Sequence, residues 1–224
     1  MVVETLTLYE NKKIEIALPE RPESDQPLFI LAHGAGNDMH SPFINAISDG
    51  LQKREVTVLR FNFPYKTEGK KLPDRSEVLE DSWKRVIEWV GENMKYRGLF
   101  IGGKSMGGRI AAMVAGEFPQ VDGLVFLGYP LHAPGKYDEI RDDYLYPLPQ
   151  RMLFVQGTRD GFARMDLLQS TLNGLRDRAR LHWVEGGDHS FKVLIRQGIS
   201  YPETLSKVTE VVAEWIHQQA PAAP

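Results

Sequence analysis

A serine, an aspartate and a histidine stand in three separate glycine-containing stretches of this chain: Ser105, Asp160 and His189. A serine hydroxyl is a weak nucleophile until a base takes its proton. An imidazole can take it near neutrality. A carboxylate behind the ring fixes its tautomer and stabilises its charged form. Ser105 lies in Gly103-Lys104-Ser105-Met106-Gly107. That run fits G-x-S-x-G, a serine held on a sharp strand-to-helix turn. Such a turn strains the serine backbone, and neighbours without Cβ relieve the crowding. Asp160 closes Gln156-Gly157-Thr158-Arg159-Asp160, and His189 lies in Glu185-Gly186-Gly187-Asp188-His189-Ser190. Two other aspartates compete for the acid role. Asp188 is next to the histidine, where its carboxylate would struggle to get behind the ring. Asp166 falls at the start of a helix. Asp160 is preferred because it follows a strand of its own.

An acyl transfer also needs two N–H groups for the developing oxyanion. Met106, the residue after the serine, would supply one. The turn His33-Gly34-Ala35-Gly36 would supply the other, from Ala35. His33 ends a strand and is read as a brace for that turn. Tyr65, Tyr129, His132, Phe162 and Phe191 follow or flank strand ends and are expected to line the substrate site. His182, within a strand, and His217, in the last helix, are read as structural. A metal site from His33, Asp38 and His40 fits no standard ligand spacing, so no metal and no cofactor are expected.

The serine turn has a rival reading. Gly98, four residues and Gly103-Lys104-Ser105 satisfy G-x-x-x-x-G-K-[ST], the phosphate-binding P-loop. Three of the four intervening residues are Leu99, Phe100 and Ile101, which read as a buried strand rather than a loop. No acid follows Val125-Phe126-Leu127 to hold magnesium. The match is read as accidental.

Around these residues the elements alternate. Val3, Thr5, Thr7 and Tyr9, then Ile14, Ile16 and Leu18, read as an antiparallel hairpin at a sheet edge. Leu28–Ala32, Val56–Phe61, Gly98–Ile101, Leu124–Leu127, Met152–Val155 and Leu181–Val184 are apolar runs suited to strands buried on both faces. Between them lie segments with helical spacing, such as Leu79, Trp83, Val86 and Val90. Phe63 to Arg75 reads as a loop. The α/β alternation predicts a mostly parallel sheet with helices on both faces. Ligands sit at the carboxyl ends of such strands, where Ser105, Asp160 and His189 all fall.

The totals agree with one domain over residues 1–224, ending in a Pro/Ala-rich tail at 218–224. Charged residues make up 25% and the net charge is −3, which gives no reason to expect nucleic acid or an anionic membrane as partner. The chain has no cysteine, which excludes a thiol nucleophile and disulfides and suits a cytoplasmic protein. The first ten residues alternate and carry acids, unlike a secretory signal.

With these residues in place, the chain resembles the α/β-hydrolase superfamily. His33-Gly34, Gly103–Gly107, Asp160 and Gly187-Asp188-His189 stand in that family's order. Leu31–Gly36, Phe61-Asn62-Phe63-Pro64-Tyr65 and Gly102–Arg109 resemble a smaller group, similar to dienelactone hydrolases and including testis-expressed eukaryotic relatives. The resemblance implies hydrolase chemistry. A serine stands where dienelactone hydrolases have cysteine, so their substrate is not carried over. Tyr129–Arg151 is too short for the helical cap that many members carry, so no cap domain is expected. The resulting expectation is a serine esterase for small soluble esters. The alternative is a hydrolase-like scaffold that binds without turnover.

Overall fold

The computed structural model describes residues 1–9, 11–20 and 22–222. Two strands open the chain, β1 (Val2–Tyr9) and β2 (Lys12–Leu18). They pair antiparallel with Leu6 opposite Ile14 and Glu4 opposite Ile16. Then come β3 (Leu28–Ala32), α1 (Pro42–Gln52), β4 (Thr57–Asn62), α2 (Pro64–Thr67) and α3 (Ser76–Asn93). β5 (Leu99–Lys104) runs directly into α4 (Met106–Val114). β6 (Val121–Leu127), β7 (Arg151–Gly157), α5 (Met165–Leu175), β8 (Ala179–Val184) and α6 (Tyr201–Gln219) complete the order.

The eight strands form one sheet in the order β1-β2-β4-β3-β5-β6-β7-β8. β2 meets β4 antiparallel, and every pairing from β4 to β8 is parallel. Side chains alternate across each strand and split the core into two layers. Leu28, Ile30 and Ala32 of β3 face α3, α4 and α5, with Trp83, Ile110 and Leu168. Phe29 and Leu31 face α1 and α6, with Ile47, Val212 and Trp215. β3, β4, β5, β6 and β7 are almost wholly buried, as continuous apolar runs require.

Two local details differ from the sequence reading, the segment after β4 and the end of α6. Pro64–Thr67 is a short helix inside the expected loop, with Pro64 in its first turn, where proline's missing N–H costs nothing. α4 ends at Val114 and tightens into a 3-10 turn, Ala115–Glu117, before Pro119. α6 continues through Gln219, so the start of the expected tail is helical. Pro221 then lies against Gly98, and the last two tail residues fall outside the described ones. Residues 130–150 contain no helix or strand. The segment is nonetheless fastened. Tyr129 donates its hydroxyl hydrogen bond to the Arg141 carbonyl, Arg141 N–H donates to Leu131, and Leu145 and Leu148 are buried. Among the described residues no cap domain is present.

Candidate active site

β5 delivers Ser105 to the carboxyl edge of the sheet in a strained conformation, φ 50° and ψ −117°. A non-glycine residue there has a cost, and it persists because its surroundings over-determine it. Close approach explains the glycines. A Cβ on Gly103 would sit 2.2 Å from the Ala32 carbonyl oxygen. One on Gly107 would sit 2.6 Å from that of His33. Leu99–Lys104 is continuous strand, so no phosphate-wrapping loop exists and the P-loop reading falls.

The structure brings the three expected residues together. His189 Nε2 lies 2.9 Å from Ser105 Oγ, and Nδ1 lies 2.7 Å from Asp160 Oδ2. With the proton on Nδ1, the ring donates to the carboxylate and accepts from the serine. Asp160 is buried and accepts two more hydrogen bonds. Gln156 Nε2 donates to Oδ2 at 2.6 Å and the Phe162 N–H donates to Oδ1 at 2.8 Å. The competing aspartates are otherwise engaged. Asp188 Oδ1 accepts the N–H groups of Ser190 and Lys192 and folds its own loop. Asp166 forms an exposed ion pair with Arg164. The loops bearing acid and base are also stitched together. Thr158 N–H donates to Val184, Arg159 N–H to Gly187, and Gly186 N–H to Thr158 Oγ1.

The turn expected to hold the oxyanion lies against the serine elbow. A Cβ on Gly34 would be 3.5 Å from the Ser105 Cβ. Met106 is the first residue of α4, where N–H groups have no acceptor inside the helix. Ala35 is exposed, and among the described residues its N–H meets no internal acceptor. His33 is a brace, as expected. It is buried, its Nδ1–H donates to the Gly34 carbonyl, and its Nε2 accepts the Phe63 N–H. Burial pushes its pKa down to about 4, so it stays neutral.

The expected substrate residues fare unevenly. Phe162 is half-buried with its ring 4.4 Å from that of His189, so it borders the site. Tyr65, Tyr129, His132 and Phe191 are buried, at 0–1% exposure. Their polar tips are used internally. Tyr65 hydroxyl accepts the Gly36 N–H, Tyr129 hydroxyl bonds Arg141 and Tyr144, and His132 Nε2 accepts the Arg164 N–H. Phe191 packs on Phe43 beneath the histidine loop.

Two functional neighbours escaped the sequence reading. Gln156 joins Asp160 to the Tyr129 N–H, which it accepts at 2.7 Å. Its signal was a polar residue ending the apolar run Met152–Val155. Lys104 is 7% exposed, and its Nζ has no hydrogen-bond partner. It lies about 6 Å from the ring centres of Phe43 and Phe191. Burial pushes its pKa down to about 7, against the pull of Asp160 and Asp188. Among the described residues no group of His, Asp and Glu could hold a metal ion.

Solved structures share this architecture. Est1E from Butyrivibrio proteoclasticus with ferulic acid bound matches at TM-score 0.77 and 16% identity, covering 96% of this chain and 98% of that one. XC6422 from Xanthomonas campestris, described as an α/β serine hydrolase without lid, matches at TM-score 0.74 and 21% identity, covering 100% and 96%. The dienelactone hydrolase from Anabaena variabilis matches at TM-score 0.74 and 18% identity, covering 98% of each chain. A family profile described as an alpha/beta hydrolase domain matches residues 25–217, from the start of β3 almost to the end of α6. That match spans nearly every element that carries the site, and the chain belongs to the alpha/beta hydrolase family.

Proposed function

We propose that this hydrolase cleaves carboxylic esters through an acyl-enzyme on Ser105. The carrying observation is the unbroken hydrogen-bonded line from Ser105 Oγ through His189 to the buried Asp160 carboxylate. His189 takes the serine proton as Oγ attacks the ester carbonyl. The Met106 and Ala35 N–H groups receive the oxyanion. His189 then returns the proton to the leaving alkoxide, and water attacks the acyl-enzyme by the same route in reverse. Asp160 holds the imidazole in orientation and steadies its charged form. The serine hydrolase and dienelactone hydrolase among the fold relatives are in keeping with this chemistry.

The substrate class follows from the rim. Residues 130–150 form a short, fastened border instead of a cap, which favours small water-soluble esters over long acyl chains. A fluorophosphonate probe should label the wild-type protein at Ser105 and leave Ser105→Ala unlabelled. A series of p-nitrophenyl esters should show kcat/KM falling as the acyl chain lengthens. A folded protein that resists the probe would mean a binding scaffold, and a long-chain preference would overturn the small-substrate reading.

A further inference from the structure

The oxyanion turn is held from behind by one stretch, Asn62 to Tyr65. Asn62 Oδ1 accepts the Met39 N–H at 2.8 Å. Phe63 N–H donates to His33 Nε2 at 3.3 Å. Tyr65 hydroxyl accepts the Gly36 N–H at 3.3 Å. The three contacts bracket residues 33–39, and the Tyr65 bond falls next to Ala35. Tyr65 has no freedom of its own. Its ring is fully buried beside that of His33. Its N–H donates to Asp74 Oδ2 at 2.8 Å, and its carbonyl accepts from Lys70 at 2.7 Å. Asp74 Oδ1 in turn accepts from Lys12 Nζ at 2.8 Å, at the turn of the N-terminal hairpin.

We propose that Tyr65 is a positioning residue of the oxyanion hole: its hydroxyl fixes the Gly36 N–H and thereby sets the Ala35 N–H that meets the oxyanion. This rests on the esterase reading above. The argument is one of donors. Ala35 and Gly36 present adjacent N–H groups on an exposed turn. A turn free to rotate would divide its time between conformations, and a donor counts only where charge develops. The turn's own bond, Asn37 N–H to the Gly34 carbonyl at 3.2 Å, closes it, and engaging Gly36 from outside fixes the peptide within it and leaves Ala35 available. Burial pushes the Tyr65 pKa up to about 12, so the phenol stays neutral and places no charge beside the hole.

Tyr65→Phe keeps the ring and deletes the hydroxyl. Small displacements of a catalytic donor cost up to roughly 100-fold in rate. The variant should lose about 10- to 100-fold in kcat on p-nitrophenyl acetate with KM within about twofold. Its affinity for a trifluoromethyl ketone, which forms a tetrahedral oxyanion on the serine, should fall in parallel. A second measurement uses the wild type. The Gly36 amide should resist hydrogen exchange despite its exposed turn, and Tyr65→Phe should abolish that protection. Wild-type kcat in Tyr65→Phe, or equal changes in kcat and KM, would overturn the proposal. So would an unprotected Gly36 amide in a wild-type protein that fluorophosphonate labels, and that result would leave the esterase reading standing. A protected Gly36 in a protein that the probe cannot label would instead sink the esterase reading and, with it, the catalytic part of the role.

Discussion

Asp160 and Asp188 are both within reach of His189 in sequence terms, yet they do different work. Asp160 accepts from His189, Gln156 and Phe162, whereas Asp188 accepts from Ser190 and Lys192 of its own loop. Asp160→Asn should reduce kcat by about 10⁴ by analogy with the serine-protease triad, with folding intact by circular dichroism. Asp188→Asn should lower thermal stability first and activity as a consequence. Lys104 makes a separate prediction about pH. Its amine has a pKa near 10.5 in the unfolded chain and about 7 in the folded one. Between those values the unfolded state binds a proton that the folded state does not. Stability must therefore rise with pH across that window, and the penalty is full below about pH 7. Lys104→Met should be more stable than wild type near pH 6 by on the order of 5 kcal/mol, less any loss of attraction to Phe43 and Phe191. The difference should shrink toward about pH 10. Urea melts at several pH values would check both the sign and the window. Ser105, Asp160 and His189 were legible as a group because their residue types are restrictive and their order is informative. The burial of Tyr65 was not legible, since sequence cannot tell a tyrosine at a loop from one buried behind it.

At the scale of elements, the parallel strands announced themselves as apolar runs and were found within three residues, with β5 running on to Lys104 and β6 starting back at Val121. Helix α2 did not, because four residues cannot show a period. Tyr65, whose hydroxyl accepts the Gly36 N–H, sits in α2, so the least visible helix carries the contact on which the proposed positioning role rests. The β5–α4 elbow was visible from its glycines, and the structure supplies the reason in contacts. A methyl on Gly107 would press on the His33 carbonyl oxygen at 2.6 Å and the Ala32 Cβ at 2.8 Å, neither of which can swing away. Gly107→Ala should cost about 1–3 kcal/mol of stability, as overpacking does. It should also slow fluorophosphonate labelling, because the oxyanion turn has to shift. A variant with wild-type melting temperature and labelling rate would show that the elbow has slack.

For the whole molecule, α/β alternation from β3 onward gave the parallel sheet and its functional edge. The strand order was not legible. β3 lies between β4 and β5, so the chain winds one way through β4 and then reverses. Nothing in the composition of a connecting helix says which way it crosses. That winding has a consequence in time. Ser105 and His189, its base on the proposed reading, are 84 residues apart, and His189 lies on the loop after β8. At 5–20 residues per second of synthesis, the nucleophile precedes its base by on the order of ten seconds. During that interval the growing chain carries a serine with no proton acceptor. Stalled or clipped chains ending before residue 185 should be chemically silent toward fluorophosphonate. On the proposed esterase reading, Ser105 gains its proton acceptor only once the loop after β8 has been made.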